Sequence, residues 1–147
     1  MARKNLIQAS FNFDIWGINS SMEDYRLCLH INEFLKWQLK RVHDVEIFVN
    51  DAKNIKYFSA YKYNNDIDLY TVELIQNKKL GNILIPELKN IDYLFLFNGE
   101  DDYFDKDAFI NSLLNSPGVQ SIFPIDVNLL KSRHNLLTRH FNEPSNT

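Results

Sequence analysis

Cysteine occurs once in this chain, at Cys28, which excludes an intrachain disulfide framework and a cysteine-based zinc cluster and favours a reducing compartment. Glycine and proline are scarce, four of each in 147 residues. So few glycines leave little scope for phosphate-cradling loops, and the chain holds no Gly-x-Gly-x-x-Gly, no P-loop and no His-Glu-x-x-His. Apolar runs are short. The longest candidate lies around Leu94 to Phe97, far below the roughly 18 residues needed to span a bilayer. The opening residues Met1 to Gln8 include basic side chains but no apolar stretch and no small-residue cleavage site, so a secretory signal is not expected. Neither sign of charge dominates either. Sixteen basic against 19 acidic residues leave a formal net charge of −3, and no global field draws the molecule to nucleic acid or anionic membrane. The expectation is a cytoplasmic protein without membrane association, metal or cofactor.

What the chain does have is apolar and aromatic substance. Hydrophobic residues make up 45% and aromatics 14%, enough to exclude disorder as the main state and to build one core. We expect one α+β domain over residues 1–141 and a flexible tail over 142–147. Phe13 to Ile18 reads as a strand, with a shorter one near Asn5 to Ala9. Ser20-x-x-Glu23 and Ser21-x-x-Asp24 both fit a capping box, and Leu27, Ile31, Phe34 and Leu35 share a helical face, widened by Cys28 and Tyr25. This predicts a helix ending near Gln38. Val45 to Val49 is a short β-branched strand. Ile55 to Tyr63 and Ile67 to Ile75 form a hairpin turning at Asn64-Asn65-Asp66. Alternation groups Tyr57, Tyr61 and Tyr63 on one face and Lys56, Phe58 and Lys62 on the other, so neither face is cleanly polar.

Strands are also expected at Leu80 to Ile85, Tyr93 to Phe97 and Val119 to Pro124, with a helix over Asp105 to Asn115 between the last two. Residues 93–124 therefore make a β-α-β unit of the ferredoxin-like kind. A short terminal helix is predicted over Val127 to His134. The fold class is thus a mainly antiparallel sheet with two principal helices on one face.

Three blocks carry a family resemblance. Ser20 to Leu27, Ile85-Pro86-Glu87-Leu88-Lys89-Asn90-Ile91-Asp92-Tyr93, and Asp126 to Ser132 resemble the small uncharacterised bacterial proteins of the IPExxxDY family. This chain places four residues between Glu87 and Asp92 where the family name implies three. The resemblance implies a compartment and a class, and no catalytic residue.

Glu87 and Asp92 are the candidate acid and base, since neighbouring carboxylates can acquire separated pKa values. A structural role outranks that one: Glu87 can fix a turn and Asp92 can cap or pair with a basic neighbour. Glu23, Asp24 and Arg26 are accounted for by the helix start, with Arg26 kept as a binding candidate. Asp126, Asn128, Lys131 and Arg133 form a donor-rich cluster that could recognise phosphate, an acidic peptide or RNA backbone, and Arg139, His134 and His140 add to its basic character. The acidic stretch Glu100, Asp101, Asp102 and Asp105 lacks the calcium-loop spacing. His30, His43, His134 and His140 show no ligand spacing. Trp16, Trp37 and the tyrosines could anchor a partner or stack on bases, but core packing explains them more economically. By elimination the first expectation is a macromolecule-binding, protein-interaction module using Lys131, Arg133 and exposed aromatics. RNA binding through the same segment is the second and an enzyme using Glu87 and Asp92 the third. A homodimer is compatible with a small sheet that must cover its edges.

Overall fold

A computed structural model describes residues 13–48, 54–99 and 105–136. The strands are β1 (Asp14–Asn19), β2 (Lys40–Phe48), β3 (Ile55–Asn65), β4 (Tyr70–Gln76), β5 (Lys78–Lys79), β6 (Asn82–Ile83), β7 (Tyr93–Gly99) and β8 (Ser121–Ile125). Six of them form an antiparallel sheet in the order β2-β3-β4-β7-β1-β8, and β5 with β6 makes a small separate hairpin. Helices α1 (Asp24–Leu35) and α2 (Lys106–Leu114) pack on one face, so the protein is α+β with a mainly antiparallel sheet. The expected strand at Asn5 to Ala9 and the tail at 142–147 lie outside the described residues.

The central strands are apolar on both sides because both faces are covered. In β7, Tyr93, Phe95 and Phe97 point to the helices while Leu94 and Leu96 point away. The helix side is aromatic. Trp37 stacks on Phe95 at 5.7 Å and on Phe109 at 5.3 Å, and its Nε1 donates to the Tyr70 hydroxyl at 3.2 Å, so the one polar atom of the indole is satisfied inside the cluster. The opposite side is covered by the irregular segment Leu84 to Ile91 and by Val127, Leu130 and Leu136. Gly17 makes that cover possible, because a Cβ there would stand 2.8 Å from Ile91 Cδ1.

β7 and β8 both run antiparallel to β1, which lies between them, so β7-α2-β8 is a split β-α-β unit. β1-α1-β2 also joins parallel strands, but three strands separate them, which makes it a long crossover rather than a second ferredoxin-like unit. Both sheet edges are blunted. β2 carries Lys40, Arg41, Asp44 and Glu46 and a register shift between Val42 and Val45, and β8 contains Pro124.

Local chemistry moved several boundaries. The capping box does not form: the N-cap Glu23 makes no side-chain cap, and the Ser20 hydroxyl instead accepts from the Met22 N–H at 3.1 Å. α1 stops at Leu35 rather than near Gln38 because Lys36 is left-handed (φ 59°) and the Asn32 amide holds both backbone groups of Leu39. Phe34 and Tyr25 are exposed, leaving Leu27, Cys28 and Ile31 as the buried stripe. At the β3–β4 hairpin Asn64 and Asn65 stay in the ladder, opposite Thr71 and Tyr70. The Asn65 side chain then accepts from Ile67 and Asp68 to close the turn. At α2 the Asp105 carboxylate accepts from the Ala108 N–H, an N-cap that the sequence places one residue inside the helix.

Candidate functional site

The three blocks of the family resemblance meet in space. Ser20 N–H donates to Asp92 Oδ2 at 2.9 Å and the Tyr93 hydroxyl donates to the Met22 carbonyl at 2.6 Å, joining the first block to the second. Glu87 joins the second to the third, accepting from the Ser132 N–H and hydroxyl at 2.7 Å each. Lys78 Nζ lies 3.6 Å from Asp92 Oδ1. Asn77, fully buried, organises the segment from beneath: its amide donates to the Leu88 and Ile91 carbonyls and accepts from the Ile85 N–H. Asn135 adds a bond to the Leu84 carbonyl at 2.8 Å. Each polar group thus answers a backbone group that an irregular cover would otherwise leave unmet.

Glu87 and Asp92 are therefore occupied separately, one holding the C-terminal turn and the other the start of α1. Burial acts to raise the Glu87 carboxyl, but the Ser132 bonds and backbone N–H donors outweigh it and leave its pKa lowered. Asp126 is also an anchor, accepting from the Asn128 N–H at 3.0 Å, and Arg133 donates to the Leu130 carbonyl at 3.0 Å. Lys131 and Asn128 are exposed. Arg26 is exposed on α1, across the sheet from residues 126–133, so the five candidate binding residues do not form one surface.

A second polar network ties α1 to the sheet. The Tyr61 hydroxyl donates to Asp24 Oδ2 at 3.1 Å, Arg41 NH1 lies 3.8 Å from the same oxygen, and the Arg41 guanidinium sits 5.5 Å over the Tyr61 ring. Burial pushes Tyr61 up to about 12, with the Asp24 charge adding to the shift. Burial acts to raise Asp24, yet the neighbouring Ser59 and Tyr61 hydroxyls, the backbone N–H of Tyr25 and the Arg41 charge leave it lowered. Burial and the Asp24 charge push the Cys28 thiol up to about 11, so this cysteine is a packed side chain rather than a nucleophile. Tyr61 and Tyr63 pack inward and only Tyr57 is exposed, so the three tyrosines do not form a stacking platform.

On the sheet face opposite the helices, Phe13, Lys62, Thr71, Glu73, Leu96 and Asn98 line a half-open cavity of about 130 Å³. It arises from the register. Lys62 faces Glu73 and Glu73 faces Leu96 across one rung, while Thr71 faces Asn98 on the next. Glu73 is 4% exposed, an acid set within an otherwise apolar strand. The signal that marks it is Tyr70-Thr71-Val72-Glu73-Leu74-Ile75, where one charge interrupts a buried pattern, and alternation places its facing partner Lys62 on the same face as Phe58. Their juxtaposition was not visible, since it depends on the β3–β4 register.

No family model matches the chain, and neither a curated protein nor a solved structure does. Among the described residues no group of three or more His, Cys, Asp or Glu side chains could hold a metal ion, and no helix is long and apolar enough to cross a membrane. Glu100, Asp101, Asp102, Arg139 and His140 lie outside the described residues.

Proposed function

We propose that the protein is a cytoplasmic protein-interaction module of the IPExxxDY family whose docking surface is the outer flank of α1. The observation that carries this reading is the pair Tyr25 and Leu29, 51% and 59% exposed and one helical turn apart, with the exposed Arg26 between them. Tyrosine, arginine and a large aliphatic residue on one rigid face are the composition of an interface anchor. The fitting partner is a protein surface with an apolar recess for Tyr25 and Leu29 and an acidic group for Arg26. The C-terminal cluster supports docking less well, because Asp126 and Arg133 already serve the cover of the sheet. The acid–base reading has its two carboxylates committed to different segments. Strand addition is disfavoured by the bulged, charged β2 and by Pro124 in β8.

Affinity capture from native cytoplasm, with and without ribonuclease, tests the assignment with three baits. Wild type and the Lys131→Glu variant are expected to retain the same partner, and a folded Leu29→Asp variant to lose it. Equal recovery by Leu29→Asp, or loss confined to Lys131→Glu, overturns the α1 surface. Recovery that disappears with ribonuclease moves RNA binding to first place.

A further inference from the structure

β2 is the outermost strand on its side of the sheet and is paired with β3 alone, so its other edge carries backbone donors and acceptors with no strand beside them among the described residues. Charge is ordered along that edge: Lys40 and Arg41 stand at its start, Asp44 and Glu46 towards its end. Faces are ordered too. Val42 and Val45 lie three residues apart, which in a regular strand would set them on opposite faces. The register shift between them adds one residue and returns both to the side away from the helices, opposite Ala60 and Phe58. Arg41 and Glu46, opposite Tyr61 and Tyr57, share the helix side. We propose that this edge pairs with β2 of a second copy of the chain, antiparallel about a two-fold axis between His43 and Asp44, joining two six-stranded sheets into one.

The two-fold makes the facing pairs of that register complementary. Arg41 meets the second copy's Glu46, Val42 its Val45, His43 its Asp44 and Lys40 its Ile47, and symmetry repeats each contact. The Val–Val and Lys–Ile pairs fall on the side away from the helices and the Arg–Glu pairs on the helix side. A slip of one residue would set Arg41 against Val45 or Ile47 and oppose side chains from different faces, so the pattern selects one register. Glu46 is exposed and has no side-chain partner among the described residues. The Arg41 side chain is 49% exposed even while it holds Asp44 and Asp24, and its remaining donors can serve a further carboxylate. A strand of unrelated sequence meets the bulge and charges of β2 as obstacles, whereas an antiparallel copy meets them as complements. The rim is apolar. Tyr25, Leu29 and Asn32 form one stripe of α1, and Asn32 holds Leu39, the residue before β2, so the exposed Tyr25 and Leu29 flank the same edge. Phe48, exposed on the helix side, comes opposite the second copy's Leu39. The inference thus names a partner for the α1 surface and rests on that reading for its rim, while the strand pairing rests on β2 alone.

Sedimentation of the purified full chain over a range of concentrations, together with amide exchange in β2, tests the pairing. Wild type should form a dimer, and dilution should speed exchange at the β2 amides that face away from β3. Glu46→Lys sets like charges in both symmetry-related pairs and should weaken the dimer about ten-fold or more, as should Arg41→Glu. An equimolar mixture of the two variants should recover the dimer, because only the mixed pair restores opposite charge at both contacts. If Arg41→Glu fails to fold, Glu46→Lys and the wild-type exchange decide. The proposal is overturned by a wild type that stays monomeric at roughly millimolar concentration. It is equally overturned by a dimer whose β2 amides ignore dilution, by one that Glu46→Lys leaves unchanged, or by a mixture of folded variants no tighter than either alone. A monomer that still captures a different protein through Leu29 overturns the second copy and leaves the docking reading standing. A dimer that follows the β2 charges and is indifferent to Leu29→Asp supports the strand pairing and removes the α1 rim.

Discussion

The two faces of the sheet solve the same problem in opposite ways. On one, two regular helices satisfy their own backbone groups, and the interface is left to close-packed rings: Trp16, Trp37, Phe95 and Phe109 contact one another at 5.0 to 6.4 Å. On the other, the cover is largely irregular, so its backbone groups need named partners, and Asn77, Glu87, Asp92 and Asn135 provide them. The first face gains from area and shape, and loses stability wherever a ring is trimmed. The second gains apolar burial only if its polar pins hold. Among the described residues it is also the face with a half-open polar cavity.

The comparison can be broken most severely at Phe95. Phe95→Ala removes a fully buried ring that contacts Trp16, Trp37 and Phe109, and should cost about 4 kcal/mol in denaturant unfolding, with loss of protection spread across the sheet. Asn77→Ala is next, at about 3 kcal/mol, since two carbonyls and one N–H lose a buried partner. Its signature should be local. Hydrogen exchange should accelerate at Leu84, Ile85 and Ile91 before β7 is affected, and simultaneous loss in both regions would refute the picture of a pinned cover.

Tyr61→Phe tests the polar seam that joins α1 to the sheet and should cost about 1 kcal/mol near neutral pH. Its pH dependence is more telling. Tyr61 is raised from 10.0 to about 12, so the unfolded chain ionises first and stability is present below pH 10 and falls as pH rises toward 12. Tyr61→Phe should make that decline shallower, leaving a residual slope from Cys28 and Tyr93, whose values burial also raises. An unchanged alkaline slope would show that the Tyr61 hydroxyl is not held as described.

Much of the architecture was legible because it rests on local pattern. The β-α-β unit at 93–124 follows from an apolar run, a helix start at Asp105 and the Pro117-Gly118 stop. Ser20 and Asn64-Asn65 misled for a shared reason. Each offers a side-chain bond that competes with the expected one, and tertiary neighbours chose: Asp92 drew Ser20 away from a capping box, and Thr71 and Tyr70 kept the asparagines in the strand. Of the candidate site residues, the sequence could single out Glu87, Asp92, Asp126 and Arg133 as unusual. It could not say that their partners are backbone groups from segments remote in the chain.

Composition and periodicity by themselves determined the α+β class, the two helices and the apolar strands, because those depend on side chains a few residues apart. Tertiary structure alone decided that the Ile85 to Tyr93 block fastens the start of α1 to the C-terminal turn, and that Lys62 faces Glu73 beside a cavity. Both are consequences of strand register and chain crossing, and a one-residue slip in β3 against β4 would part Lys62 from Glu73.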